Sequence, residues 1–197
     1  PLDLSISNRE IAEVNASSSA DWERYINKLL QDNKKKIAFG GYLEKRNIYD
    51  RSVYFKDASR DRNVHLGVDF WVAAGTSVHA FTDGVIHSFR DNRNHGDYGP
   101  TIILEHHFEG QTFFSLYGHL SRESLMRIQV GQEVNCGEKI AELGTSNVNG
   151  DYAPHLHFQL IHDLEGNMGD YPGVCTESEV PRFKMNCPDP VPFLQLR

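Results

Sequence analysis

The chain has 197 residues, 39% hydrophobic and 24% charged, enough for one hydrophobic core but short for two independent ones. Its formal net charge of -7 opposes a nucleic-acid role, because phosphate binding draws on clustered Lys and Arg. No run approaches the roughly 18 apolar residues of a membrane-spanning helix.

Residues 1–38 read as an N-terminal helical extension. Trp22, Ile26, Leu29 and Leu30 recur at helical spacing after the capping candidates Ser17–Ser19, so one face of this helix packs on something. Lys34–Lys36, the only basic run, reads as its solvated end. From 39 to 163 the pattern changes to short alternating segments punctuated by Gly, Asn and Asp, which predicts a mainly β core of antiparallel strands. Strands are expected over Val64–Val72, Val78–Ala80, Gly84–Arg90, Thr101–His107, Thr112–His119, Lys139–Gly144 and His155–Ile161, with a helical turn at Arg122–Met126. Residues 164–197 are rich in Gly, Pro and polar residues and read as a long C-terminal arm packed on the core. Cys136, Cys175 and Cys187 show no CxxC spacing, which argues against a thiolate metal site. Cys175 and Cys187 are within reach of pairing across a late loop, with reduced thiols as the alternative.

The chain carries ten histidines, and strand periodicity sorts them. In Val64–Phe70 a period of two puts His65, Gly67 and Asp69 on one face and Leu66, Val68 and Phe70 on the other. In His155–Leu160 it groups His155, His157 and Gln159, with Leu156, Phe158 and Leu160 turned to the core. Tyr117 and His119 are likewise in phase, opposite Phe114, Leu116 and Leu120. Zinc takes imidazole nitrogens and a carboxylate oxygen, commonly three protein ligands with one position left for water. His65, Asp69 and one of the pair His155 and His157 meet that need. The adjacent His106 and His107 point to opposite faces, and His79, His87, His95 and His162 lack a constellation; all six read as structural or solvated. Gly67, Gly118 and Gly144 allow either close backbone approach in a groove or a turn.

His65-x-x-x-Asp69, then Tyr117-Gly118-His119-Leu120, then His155-x-His157 resembles, in order and spacing, the lysostaphin-type or LytM-type zinc metallopeptidases. The resemblance covers roughly Phe39 to Ile161. It implies a barrel-sandwich-hybrid style β fold with a groove over the sheet, residues 39–163 being the metallopeptidase core. It also implies one zinc ion per chain on His65, Asp69 and His157, His119 and His155 as catalytic residues, and a peptide substrate, by family default the crosslinks or Gly-rich bridges of peptidoglycan. That default places the protein in the periplasm or outside the cell. A narrower resemblance lies in Gly40–Arg46, Gly96–Pro100 and Gly169–Cys175. These are similar to a subgroup in which the peptidase is fused to kinase-like and class III aminotransferase-like domains, which implies other domains of a larger polypeptide as partners and a cytoplasmic site. Cell-wall members often carry a tyrosine shortly before the first metal histidine, whereas Ala58–Arg62 has none; Tyr49, Tyr54, Arg60 and Arg62 are the candidates to substitute. There is no HExxH glutamate, so His119 and His155 are expected to orient or deprotonate water and to hydrogen-bond the developing oxyanion. Two rival readings are a non-catalytic LytM-like scaffold and a lipoyl-like binding module, the latter suggested by the hairpin style of Gly131–Gly144.

Overall fold

A computed structural model describes residues 1–11, 14–15, 18–46, 56–57 and 60–195, with backbone alone at 56–57 and 60–61. The strands in chain order are β1 (Ala38–Gly40), β2 (Lys56–Asp57), β3 (Arg60–Asp61), β4 (Val64–His65), β5 (Val68–Trp71), β6 (Ser77–His79), β7 (Gly84–Asn92) and β8 (Gly99–Phe108). They continue as β9 (Gln111–Gly118), β10 (Glu133–Val134), β11 (Lys139–Glu142), β12 (His155–Ile161) and β13 (Val174–Cys175), and the α-helices are α1 (Ser19–Asp32), α2 (Arg122–Leu125) and α3 (Val180–Asn186). Among the described residues a seven-stranded antiparallel sheet runs β1-β5-β12-β9-β8-β7-β10. This is the mainly β fold expected from the alternation.

Alternation along the central strands gives the sheet two apolar faces. Ile102, Leu104, Tyr117, Phe158 and Leu160 lie under the β6–β11 ribbon with Val78, Ala80, Ile140, Ala141 and Leu143. On the opposite face Ile103, Leu116 and Ile161 pack with Leu66 and with Leu164, Tyr171, Cys175, Phe183 and Cys187 of the C-terminal segment. α1 forms where its apolar spacing places it: Ser18 caps it by accepting a hydrogen bond from the Asp21 amide (3.2 Å), and Trp22 and Ile26 are buried. Those two side chains join Leu2, Leu4, Trp71, Tyr152 and Ala153 in a third apolar cluster. No helix among the described residues is long and apolar enough to cross a membrane.

Three expectations change. Val64–Val72 is two pieces, β4 pairing with β13 while β5 inserts between β1 and β12. The chain breaks at Gly67 because there it runs against β12, where a Cβ would stand 2.6 Å from the Phe158 carbonyl oxygen and 2.7 Å from His157 Nε2. Leu66 consequently packs on the opposite face from Phe70. Tyr117 is not in phase with His119: it sits opposite Phe158 in the core, ring centroids 5.2 Å apart, while Gly118 faces His157. His119 reaches the same side as His157 only because β9 ends at Gly118 and His119 adopts a left-handed φ of 62°, uncommon for a side chain without local hydrogen-bonding compensation. Lastly, the C-terminal arm contains β13 and α3, too short to leave a periodic signature; α3 buries only Phe183 and starts with a proline in its first turn.

Phe158 is 2% exposed on a central strand between Phe81 and Tyr117. Phe158→Ala is expected to lower unfolding free energy by about 3–5 kcal/mol, read from the urea midpoint at unchanged m-value; a loss under about 1 kcal/mol would contradict this packing.

Candidate metal centre

Strand register assembles the site. Asp69 on β5 lies opposite His157 on β12, which lies opposite Gly118 on β9, and Trp71 lies opposite His155 one pleat along. Residues in register on one face have adjacent side chains, so Asp69, His157, Trp71 and His155 share a small area. His65 enters from β4, held by backbone bonds from its amide to Glu44 O (3.0 Å) and from the Leu43 amide to its own carbonyl (2.8 Å).

The three ligand atoms converge. His65 Nε2 is 2.8 Å from His157 Nδ1, and Asp69 Oδ1 is 3.3 Å from each of them. Tetrahedral zinc with bonds of about 2.0–2.1 Å sets its ligand atoms about 3.3 Å apart, so this spacing fits. The protons are turned away from the centre. His65 donates from Nδ1 to Gly41 O (2.8 Å), and His157 from Nε2 to Gln159 Oε1 (3.0 Å). The Gln159 amide is oriented in turn, since its nitrogen donates to Pro172 O and to Cys187 Sγ, both at 3.2 Å. Two lone pairs and a carboxylate oxygen therefore face one another, and Asp69 Oδ1 is a buried atom without a hydrogen-bond partner. Such an arrangement suits a cation placed among the three atoms. The same trio is a group able to hold a metal ion among the described residues.

His119 and His155 stand beside this centre, with ring centroids 4.2 Å apart. His119 donates from Nδ1 to Asn149 O (2.8 Å) and His155 from Nδ1 to Ala153 O (2.7 Å), so each directs Nε2 elsewhere. His155 Nε2 is 3.8 Å from Asp69 Oδ1. Trp71 stacks on His155 at 4.1 Å and Tyr152 meets both rings edge-on. A cleft of ≈ 170 Å³ opens over these groups, and its far wall is the arm from Asn167 through Asp170 to Val174.

Burial lowers His65 from 6.5 to about 4, helped by the nearby Arg46 charge. Burial also lowers His155 to about 4 and takes His119 well below its usual value. Burial disfavours the Asp69 carboxylate, but His65 and the Arg46 guanidinium outweigh it and hold the carboxyl well below its ordinary range. At neutral pH His65, His119 and His155 are thus neutral and the Asp69 carboxylate charged, and a metal needs His65 and Asp69 in those states.

All five residues expected at the site meet there. Of the candidates to replace the missing tyrosine, Arg62 lines the cleft; Tyr49, Tyr54 and the Arg60 side chain lie outside the described residues. Of the six histidines expected to be structural or solvated, His106 bonds Asp83 O and Ser115 Oγ, His107 Glu105, His95 Asp151, His79 Gly137 O and His87 Ser88 Oγ, while His162 is exposed. The three cysteines are free, and burial pushes the Cys175 and Cys187 thiols up to about 12. Sequence reasoning gave no role to Arg46, Tyr98, Trp71 or Tyr152. Tyr98 has its hydroxyl 3.4 Å from His157 Nε2; it lies in the Gly96–Pro100 segment already singled out, but nothing local reveals where its ring goes.

Residues 63–168 match the family described as Peptidase family M23. The chain belongs to this family of metallopeptidases. It is 37% identical over 98 residues to the peptidoglycan DD-endopeptidase ShyA of Vibrio cholerae, spanning 49% of this chain and 20% of that protein. It is 32% identical over 103 residues to the glycyl-glycine endopeptidase ALE-1 of Staphylococcus capitis, spanning 52% of this chain and 26% of that protein. The chain thus matches about a quarter or less of the length of these curated relatives. Among solved structures, the catalytic domain of the antimicrobial peptidase lysostaphin from Staphylococcus simulans aligns over 90% of this chain and 98% of its own, with 26% identity and a TM-score of 0.49.

His65 and His155 drop from 6.5 to about 4 on folding, so between those values the unfolded chain binds protons that the folded chain does not. Stability of the metal-free protein is therefore expected to fall as pH drops through that window. Melting temperatures at about pH 7.5 and about pH 5 test this; an equal or higher value at the lower pH would mean that the histidines are not held neutral.

Proposed function

We propose that this chain is a zinc-dependent metalloendopeptidase that binds one zinc ion through His65, Asp69 and His157 and hydrolyses peptide bonds of peptidoglycan, in crosslinks or Gly-rich bridges. The observation that carries the reading is the meeting of two imidazole lone pairs with a buried carboxylate oxygen that has no hydrogen-bond partner, the ring protons of His65 and His157 being donated outward to Gly41 O and Gln159 Oε1. The wall substrate is supported by similarity to proteins named as peptidoglycan and glycyl-glycine endopeptidases.

Zinc, when bound, supplies a Lewis acid that polarises a carbonyl and makes water acidic near neutrality. The protein does the rest. His119 and His155, neutral and fixed through their Nδ1 protons, present Nε2 as proton acceptors. One takes the proton of the attacking water at Nε2, and the imidazolium so formed hydrogen-bonds the oxygen on which charge develops and then passes that proton to the leaving amine, while the other orients the water by accepting a hydrogen bond at its own Nε2. Trp71 and Tyr152 hold the two rings and keep bulk water from their faces. The arm forms the wall opposite and limits what the cleft admits.

The scaffold alternative is disfavoured because the full ligand and catalytic set is present. The lipoyl-like alternative needs a lysine at a hairpin tip, whereas Lys139 begins β11 and pairs with Glu142 (2.5 Å).

His119→Ala and His155→Ala should each lower turnover by about 10²–10⁴-fold while keeping one zinc per chain, whereas His65→Ala and His157→Ala should lose the metal. Metal analysis alongside assays on muropeptides and pentaglycine separates these classes, and full activity in both catalytic variants would sink the assignment. Chelation should abolish activity and added zinc restore it. A metal-loaded protein inert on wall peptides but active on others would retain the peptidase and discard the wall substrate.

A further inference from the structure

We propose that Arg46 is a positioning residue of the metal centre, withdrawing one oxygen of Asp69 so that the carboxylate offers a single ligand atom, and that the Gly41–Arg46 turn orients two of the three ligands at once. This rests on reading His65, Asp69 and His157 as zinc ligands.

Arg46 is 3% exposed and donates from Nη1 to Asp69 Oδ2 at 2.5 Å. A charge so deeply buried persists only with partners on its donors. The second partner is Glu44, whose Oε2 accepts from Arg46 Nε at 2.5 Å while its Oε1 accepts from the Leu4 amide at 2.9 Å. A continuous path of bonds thus runs from the N-terminal segment through Glu44 and Arg46 to Oδ2. The other oxygen, Oδ1, faces His65 and His157 and has no hydrogen-bond partner. With one oxygen committed to a planar guanidinium, the carboxylate is locked in rotation. It binds through one atom, and a coordination position stays open for water and substrate.

The same turn holds His65. Gly41 O accepts from His65 Nδ1 (2.8 Å), and the turn backbone brackets His65 through Leu43 and Glu44. Gly41 is what lets the guanidinium in. Its φ is 109°, and a Cβ there would lie 1.9 Å from Arg46 Nη2 and 3.0 Å from His65 Nδ1. Lysine in place of Arg46 would carry the charge but not the fork that reaches Glu44 and Asp69 together.

The test measures zinc affinity by chelator competition and the visible spectrum of the cobalt-substituted protein for wild type, Arg46→Met, Arg46→Lys, Glu44→Gln, Gly41→Ala and the Gly41→Ala/Arg46→Met pair. Arg46→Met should weaken zinc binding by about 10–100-fold, Arg46→Lys and Glu44→Gln by less. With Oδ2 freed to become a second ligand, the cobalt coordination number rises and its d–d absorption weakens, a change that simple loss of stability would not produce. Gly41→Ala should act in the same direction, and the paired substitution should cost less than the sum of the two, because both remove one interaction. Wild-type affinity and an unchanged cobalt spectrum in Arg46→Met overturn the proposal. Should that variant fail to fold, wild-type behaviour in both Arg46→Lys and Glu44→Gln does so. Failure of the wild-type protein itself to bind zinc would instead overturn the ligand assignment on which the proposal rests.

Discussion

Asp69, His157 and Gly118 lie in one row across β5, β12 and β9, with Trp71 and His155 in the next row of the same face. A slip of one residue in either pairing would turn Asp69 or His157 to the opposite face. The register is held by the apolar residues between them: Phe158 and Leu160 have places only under the β6–β11 ribbon, and Ile161 only against the C-terminal segment. Hydrophobic burial on both faces of the sheet thus fixes the polar row.

That row gathers lone pairs and a carboxylate oxygen in one buried place, a donor set that suits a cation. His65 and His157 each donate a ring proton to a neutral acceptor on the side away from Asp69, Gly41 O for His65 and Gln159 Oε1 for His157. These outer bonds choose the tautomer and direct the ring. Burial then keeps the histidines neutral down to about pH 4 for His65 and His155, and Arg46 keeps Asp69 ionised. Arg46 supplies the positive charge on the Oδ2 side of Asp69, whereas Oδ1, between His65 and His157, has no hydrogen-bond partner.

Segments outside the sheet supply the outer layer. Leu4 reaches the centre through Glu44 and Arg46, and α1 buttresses Trp71 from behind through the cluster containing Trp22 and Ile26. On the other side Pro172 and Cys187 hold the Gln159 amide, while β13 pairs with β4 so that Val174 lies opposite His65. The segments around Leu4 and around residues 172–187 are therefore joined to the site by hydrogen bonds and strand pairing, and beneath an open cleft His65, Asp69, His119, His155 and His157 are all at 5% exposure or less.

The sequence by itself determined the mainly β class, the helix at α1 and most strand positions, because alternation and capping are local and survive without knowledge of partners, and the order and spacing of its motifs named His65, Asp69, His119, His155 and His157 as the candidates that the fold brings together. It failed where a local period was interrupted: at Gly67, where the chain bends against β12, and at His119, where a left-handed residue reverses the face expected from Tyr117. Only the tertiary structure decided the tautomers, the path from Leu4 to Asp69, the stacking of Trp71 on His155 and the arm as a cleft wall. Those depend on contacts between residues tens of positions apart, and burial of a charge such as Arg46 leaves no trace in its neighbours along the chain, since what makes it tolerable is the arrival of partners from elsewhere in the fold.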